Sequence, residues 1–165
     1  MSENDIIDFK IVEFLMENGR MAAAEIARRI GGGISERIVR YRIDRMINEG
    51  VIQIRPIVSP QAFGLTTRAD VVLEVDSDAI MDVANHAMAY DCVTYVACSI
   101  GETDVSIQVV AKDTVEIYRF VTEVIGKMPG VRKTTTSIVP IVLKDVYQWR
   151  MPSGSGLKFA KEKSE

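Results

Sequence analysis

The stretch GGGISERIVRYRIDRMINEGVI, residues Gly31–Ile52, places three consecutive glycines directly before a cationic segment with helical periodicity. Ser35 stands at a helix N-cap position, where its hydroxyl can accept a hydrogen bond from an open backbone N–H of the first turn. Gly50 follows as a C-terminal cap. The stretch therefore predicts a helix from Ser35 to about Glu49, entered through a turn whose glycines tolerate positive φ.

The predicted helix has one polar face and one apolar face. At about 100° per residue, the polar face carries Arg37, Arg40, Tyr41 and Asp44, and the apolar face carries Val39, Ile43 and Met46. Arginine can bind guanine bidentately or hold a phosphate, and a tyrosine hydroxyl can reach a phosphate oxygen. Arg42 falls near the apolar side, which predicts packing, and Arg45 falls on the flank, which predicts contact with a DNA backbone. The alternative is a solvated face on which Arg40 and Asp44 pair at i, i+4.

Two further amphipathic patterns precede this helix. Residues 7–20 carry two apolar stripes, so this predicted helix is expected to contact something beyond its own domain, such as a second copy. Residues 22–30 predict a shorter helix with Arg28 and Arg29 facing outward. The alternating segment Val51–Val58 predicts a strand after the three helices. Helices joined by a glycine turn follow the helix-turn-helix plan.

The charge is unevenly distributed along the chain, whose net charge is −3. Between Arg20 and Arg55 there are eight basic and four acidic residues, a balance of +4, so the rest of the chain carries −7. A basic region on an acidic body predicts that one region faces a polyanion and that the other region has a different task.

Several classes of function find no support in the residues. No window approaches the ~20 apolar residues of a membrane span, and the N-terminal MSENDIIDFK lacks signal-peptide order, so a cytoplasmic location is expected. Cys92 and Cys98 lie about 20 Å apart if both are in one strand, too far for a disulfide, and are expected in the core. The single histidine, His86, is expected on a helix. No catalytic residue, metal site or cofactor is predicted.

The periodicity changes in the second half of the chain. Strands are predicted at 69–76, 93–100, 105–111 and 131–139, the last with an extension through 143. One helix, capped by Ser77, follows the first strand, and a second opens with a capping box from Asp113 to Glu116. The order βαββαβ predicts a ferredoxin-like sandwich with both helices on one face of an antiparallel sheet.

The chain is thus predicted to be an α+β protein with two domains. An N-terminal helix-turn-helix domain of winged-helix-like type spans residues 1–58, and a linker spans 59–66. The ferredoxin-like βαββαβ sandwich spans 67–146. Residues 147–165 are small, polar and lysine-rich, which predicts a tail.

The loop between the second and third predicted strands contains Gly101 and Asp104. A carboxylate there could accept hydrogen bonds from the ammonium group of an amino acid, and glycine lets the backbone come close. The alternative is a hairpin turn in which Asp104 only bonds its own loop.

Together these motifs resemble the leucine-responsive/asparagine regulator (Lrp/AsnC) family of transcription factors over residues 5–146. The matching segments are D-x-x-I-V-x-x-L at 8–15, S-x-x-x-V-x-x-R-I-x-R-M at 35–46, EGVI at 49–52, GETD at 101–104, and MPGV at 128–131 with TTT at 134–136. Family members usually have about one glycine in the turn before the third helix. The three glycines here predict a longer turn and a changed angle between the helices.

The resemblance implies a sequence-specific regulator that binds double-stranded DNA, with a second domain that oligomerises and binds a small effector, expected to be an amino acid. A homodimer or a higher homo-oligomer such as an octamer is expected. The implied DNA-binding residues are Ser35, Glu36, Arg37, Arg40, Tyr41, Asp44 and Arg45. The implied effector-binding residues, in a pocket between subunits, are Gly101, Asp104, Thr114, Ser137 and Val139. Two alternatives are a sirohaem-decarboxylase-like enzyme on the same architecture and a DNA-binding regulator that needs no effector.

Overall fold

Three helices form the first part of the chain in the computed structural model, which describes residues 3–149. They are α1 Glu3–Glu17, α2 Ala23–Ile30 and α3 Glu36–Asn48. Each contributes to one buried cluster, formed by Ile11, Ile26, Ala27, Val39 and Met46. The predicted helix-turn-helix arrangement is confirmed.

The turn between α2 and α3 places all three glycines at positive φ. Their φ angles are 72° at Gly31, 65° at Gly32 and 77° at Gly33. A Cβ added to any of them would meet nothing within 4 Å, so backbone conformation rather than crowding accounts for glycine there. The Ser35 hydroxyl then accepts a hydrogen bond from the Ile38 amide at 3.3 Å, which makes Ser35 the N-cap of α3 as predicted.

The predicted strand at Val51–Val58 is wrong. The described structure has no strand over these residues, although their sequence alternates. Val51, Ile54 and Ile57 are exposed, and Pro56 has no amide hydrogen to donate. A strand requires a neighbour that accepts and donates its backbone hydrogen bonds, and periodicity reports nothing about such a neighbour.

The second part of the chain has the predicted βαββαβ order. Its elements are β1 Thr67–Val75, α4 Ile80–Met88, β2 Val93–Cys98, β3 Val105–Ala111, α5 Thr114–Arg119 and β4 Val131–Ile138. The strands form one antiparallel sheet in the order β2-β3-β1-β4, with Val71 opposite both Ile107 and Thr136. The fold class is confirmed.

One face of this sheet forms the core with the helices. The alternate residues Ala69, Val71, Leu73 and Val75 of β1 are buried against α4 and α5, together with Ile117 and Val121. On the opposite face, Gln108 donates to Asp70 at 2.9 Å, and Lys133 binds Glu74 at 2.8 Å, which raises the pKa of Lys133. The sheet thus has an apolar face and a polar open face.

Several local details differ from the predictions. Ser77 does not cap α4, because the helix begins after Ala79, which provides no side-chain cap. β4 ends at Ile138 and does not continue to 143, since Pro140 cannot donate to a strand ladder. Cys98 is exposed rather than in the core, whereas Cys92 is half-buried and its burial raises the pKa of the thiol.

The capping box before α5 closes one residue earlier than predicted. Asp113 accepts hydrogen bonds from the amides of Val115 and Glu116, both at 2.9 Å. The Glu116 carboxylate reaches back to the Lys112 amide at 2.9 Å instead of the Asp113 amide. Beyond α5 the chain continues as a π-helical turn at Phe120–Val124 and a 3-10 turn at Ile125–Lys127.

The chain divides into two compact units, with boundaries between Ile57 and Val58 and between Lys144 and Asp145. The predicted linker contains a short 3-10 helix, Pro60–Phe63. Val146–Gln148 forms another 3-10 turn, and the predicted tail from residue 150 onward lies outside the described residues. Across residues 3–149, no helix has the length and apolar character required to cross a membrane.

Candidate DNA-binding surface and ligand cleft

The outer face of α3 presents the predicted polar side chains to solvent. Arg37, Arg40, Tyr41 and Asp44 are all exposed, and 67% of Tyr41 is accessible. Arg40 pairs with Glu36 one turn earlier rather than with Asp44. Because both partners are exposed, that pair contributes little stability and leaves the guanidinium accessible to a competing anion.

The inner flank of α3 carries the other two arginines. Arg42 Nη1 lies 3.0 Å from Asp8 Oδ1 of α1, and Arg45 Nη2 binds Asp8 Oδ2. Arg45 Nε also lies 3.9 Å from Glu49. The structure therefore places Arg45, which the sequence assigned to a DNA backbone, in an intramolecular ion pair.

The arginines of α2 also bind within the first unit. Arg28 and Arg29 both bind Glu25, and hydrogen bonds from these two guanidinium groups lower the pKa of that carboxyl. Arg29 in addition stacks over the Phe14 ring, with its Cζ 5.5 Å from the ring centroid. Arg28, with 76% of its side chain exposed, is paired in the same way as Arg40, so the first unit presents accessible cations on α2 as well as on the outer face of α3.

The loop between β2 and β3 is tied to the end of β1 through Asp104. Its carboxylate accepts from the Val75 amide at 2.7 Å, and its own amide donates to the Leu73 carbonyl at 2.9 Å. Arg132 Nη2 lies 3.7 Å from the same carboxylate oxygen. Gly101 in this loop has a φ of 155°. These contacts give Asp104 a structural task at the sheet edge, whatever else it binds.

One chain brings Asp104 together with Gly101, which lies in the same loop, but not with Thr114, Ser137 or Val139. Ser137 lies opposite Asp70 on β1, and the Val139 amide donates to the Arg68 carbonyl. Asp70 is three residues from Leu73, so Ser137 and Asp104 are separated by about 10 Å along the sheet. Thr114 begins α5, on the other face of the sheet.

A cleft of about 310 Å³ lies between β4 and the helical segment that starts with α5. Its lining residues are Thr114, Ile117, Tyr118, Val121, Thr122, Thr134, Thr136 and Ile138. Of the predicted effector residues, only Thr114 is among them. Thr134, Thr136 and Ile138 face the helices because they lie opposite the buried Leu73, Val71 and Ala69. Their sequence spacing of two residues indicates that the three side chains share one face of β4, but it does not show whether helices cover that face.

The cleft offers hydroxyl groups and hydrocarbon. Within the described structure, all of its lining side chains are uncharged. The Thr122 hydroxyl donates to the Tyr118 carbonyl at 2.8 Å where the π-helical turn interrupts the regular helix. With its proton engaged in this bond, the Thr122 hydroxyl oxygen remains able to accept a hydrogen bond.

Comparison with known proteins agrees with both units. Residues 4–53 match the family model of a winged helix-turn-helix DNA-binding domain, and residues 69–148 match that of the Lrp/AsnC ligand-binding domain. An uncharacterized HTH-type transcriptional regulator of Pyrococcus horikoshii is 33% identical over 143 residues, which cover 86% of this chain and 89% of the relative. The chain belongs to the Lrp/AsnC family of transcriptional regulators.

A second relative and two solved structures agree with this assignment in sequence and in fold, respectively. The HTH-type transcriptional regulator FL11 of Pyrococcus abyssi is 30% identical, covering 82% of this chain and 88% of that protein. The fold is also that of the AsnC structure from E. coli, with a TM-score of 0.77, 23% identity, and coverage of 89% and 99%. A regulator from Neisseria meningitidis solved with L-Met has a TM-score of 0.78, 24% identity, and coverage of 88% and 93%. This chain is thus a DNA-binding transcriptional regulator with an effector-binding domain, as the names of its relatives as transcriptional regulators also indicate.

Proposed function

We propose that this Lrp/AsnC regulator binds duplex DNA as a homo-oligomer and senses an amino acid with an uncharged side chain. The observation that carries the effector assignment is the cleft beside β4, whose described lining side chains are all uncharged. DNA contact is assigned to the outer face of α3, and effector contact to the second unit.

The outer face of α3 has the chemistry of a recognition helix. In helix-turn-helix proteins the second helix of the motif enters the major groove and contacts base edges through its N-terminal residues. Here Ser35 and Glu36 lie at that end, followed by the exposed Arg37, Arg40 and Tyr41. Asp44 extends the same face. Phosphate can displace Glu36 from Arg40, because their ion pair is open to solvent.

The cleft suits a small ligand that is hydrophobic at one end and polar at the other. Ile117, Val121 and Ile138 supply hydrocarbon for an aliphatic side chain. The threonine and tyrosine hydroxyls supply hydrogen bonds for the ammonium and carboxylate groups. A lysine or glutamate side chain would bury its charge without a counter-ion from these lining residues, which is costly. The Neisseria meningitidis regulator was solved with L-Met, whose side chain is also uncharged.

Oligomerisation is supported by the separation of the predicted effector residues. Asp104 lies about 10 Å along the sheet from Ser137, and neither residue lines the cleft, so a site that used both would be distinct from the cleft and would need Asp104 from a second subunit. Twofold symmetry would also pair two reading helices on two half-sites. The open face of the sheet, with Val72 and Thr135, is the proposed contact between subunits.

Isothermal titration calorimetry of the full chain with norleucine and lysine tests the proposal. The two ligands share a four-carbon side chain and differ by the terminal ammonium, so they isolate the effect of charge. Norleucine and aliphatic amino acids are expected to bind, and lysine and glutamate are expected to give no heat. Light scattering on the same sample is expected to give a dimer or a larger oligomer.

The outcomes distinguish the alternatives. Heat with lysine and none with norleucine would exclude an uncharged effector while retaining an effector. No heat and no thermal shift with any of the twenty amino acids would support a regulator without an amino-acid effector. A shift of the Soret band of sirohaem on addition of the protein would support the enzyme alternative. A monomer at micromolar concentration would remove the shared pocket.

A further inference from the structure

We propose that Asp8 is a positioning residue for DNA recognition. It holds Arg42 and Arg45 on the inner flank of α3, so that the duplex meets the outer face of the helix and not these two guanidinium groups. This proposal goes beyond the effector assignment and does not depend on it. It concerns which of the four α3 arginines the DNA-binding unit presents to the duplex and which it holds in an internal ion pair.

The Asp8 carboxylate bridges two arginines of α3. Arg42 and Arg45 are three residues apart and therefore lie on the same flank of α3. One carboxylate spans them, with Asp8 Oδ1 3.0 Å from Arg42 Nη1 and Asp8 Oδ2 bound to Arg45 Nη2. Asp8 is one turn before Ile11, which is fully buried in the cluster with Val39 and Met46. The ion pair therefore lies beside the apolar contact that joins α1 to α3.

The ion pairs of Asp8 with Arg42 and Arg45 are partly buried. The side chains of Asp8 and Arg42 are only 18% and 13% exposed, and that of Arg45 is 36% exposed. Arg45 Nε is buried and makes no hydrogen bond within the described residues. Arg40 on the outer face, in contrast, is 69% exposed. A partly buried ion pair is hard to open, because each freed charge would remain poorly solvated.

The Asp8 ion pairs affect which arginines can contact DNA. If Arg42 and Arg45 moved to phosphates, Asp8 would be left as an unpaired, partly buried carboxylate close to a polyanion. With the clamp closed, Asp8 shares its single negative charge between the two guanidinium groups, and the Glu49 carboxylate also lies 3.9 Å from Arg45 Nε. Asp8 thereby favours contacts by the outer face, which can read base edges, over phosphate contacts, which carry no sequence information.

The test is the salt dependence of DNA binding by the full chain. Two probes are used: a mixed-sequence duplex, and a duplex that the wild-type protein selects from a random library. Asp8→Asn is expected to steepen the plot of log K against log salt by about 0.9 for each arginine released. Binding to the mixed-sequence duplex should tighten by roughly tenfold, and the preference for the selected duplex should fall. Asp8→Glu, which keeps the charge, should restore the wild-type slope.

Glu13→Gln is the matched control, since it removes one negative charge from an exposed position on the same helix. An equal change of slope in this control would reduce the effect to net charge and overturn the proposal. Equal weakening of both duplexes by Asp8→Asn, with an unchanged slope, would mean that Asp8 only stabilises the fold. If Asp8→Asn does not fold, Arg45→Gln and Arg37→Gln are compared in the wild-type background. The slope change for Arg45→Gln is expected to be less than half that for Arg37→Gln, and equal changes would refute the clamp.

Discussion

The outer face of α3 and the cleft beside α5 have opposite chemistry. The α3 face concentrates exposed arginines with a tyrosine, whereas the described lining of the cleft contains hydroxyls and hydrocarbon without charge. The α3 face comes from one continuous helix. The cleft is assembled from two segments, residues 114–122 and 134–138. In this chain, the proposed surface for a polyanion is built locally, and the proposed site for a small ligand is built by tertiary packing.

One turn in each unit also shows this contrast between local conformation and tertiary packing. Substituting the glycines of these turns gives the largest expected effects on stability. A Cβ at Gly130 would lie 2.3 Å from Ala79 Cβ, and Gly130 has a φ of 86°. At Gly32, with a φ of 65°, a Cβ meets nothing within 4 Å. Gly130→Ala is expected to cost about 3 kcal/mol or more of unfolding free energy, and Gly32→Ala about 1–2 kcal/mol. Calorimetric melting of both variants provides the measurement, and equal losses would show that packing around Gly130 is not the cause.

Asp104 allows a second comparison, between a structural role at the end of β1 and a proposed role as the charged partner of an effector ammonium group. Asp104→Ala leaves the Val75 amide without its acceptor, so a loss of about 1–3 kcal/mol of stability is expected. Asp104→Asn keeps an acceptor for that amide and removes the charge. If the carboxylate also binds an effector ammonium in an oligomer, Asp104→Asn should lower effector affinity by about 1.5–3 kcal/mol and leave effector-free DNA binding near normal. Melting and effector titration on one preparation separate the two roles, and an unstable but fully responsive variant would remove Asp104 from the effector site.

The sequence predicted the elements whose causes are local. The N-cap at Ser35, the amphipathic face of α3 and the limits of β3 depend on spacing and on nearby hydrogen bonds. The strand predicted at Val51–Val58 failed because strand formation depends on a neighbour elsewhere in the chain. Ser77 failed as a cap because residues 77–79 form a turn in which the Ala79 amide donates to the Asp76 carbonyl at 2.9 Å, and α4 begins only at Ile80.

The site residues that could be predicted from the sequence are likewise those whose positions depend on local structure. Helical periodicity identified Arg37, Arg40, Tyr41 and Asp44 as one face, and these residues are exposed. Periodicity also placed Arg45 on the flank of α3. It could not show that Asp8, 37 residues earlier, binds this arginine. Most of the cleft was missed for a related reason: the covered side of β4 is set by its register on β1.

The most direct measurement is a pair of titrations on two variants, because the account assigns DNA and effector to separate units. Arg40→Ala removes an exposed guanidinium from α3, and Thr136→Phe fills the cleft. Met81→Phe, on the exposed side of α4 and away from the open face of the sheet, is the control for adding an aromatic ring. We expect Arg40→Ala to weaken binding to a selected duplex by about 1–3 kcal/mol and to keep the heat of norleucine binding. Thr136→Phe should abolish that heat and keep effector-free DNA binding, while Met81→Phe keeps both. Loss of DNA binding in Thr136→Phe, or loss of norleucine heat in Arg40→Ala, with both folds intact, would contradict the separation of the two sites.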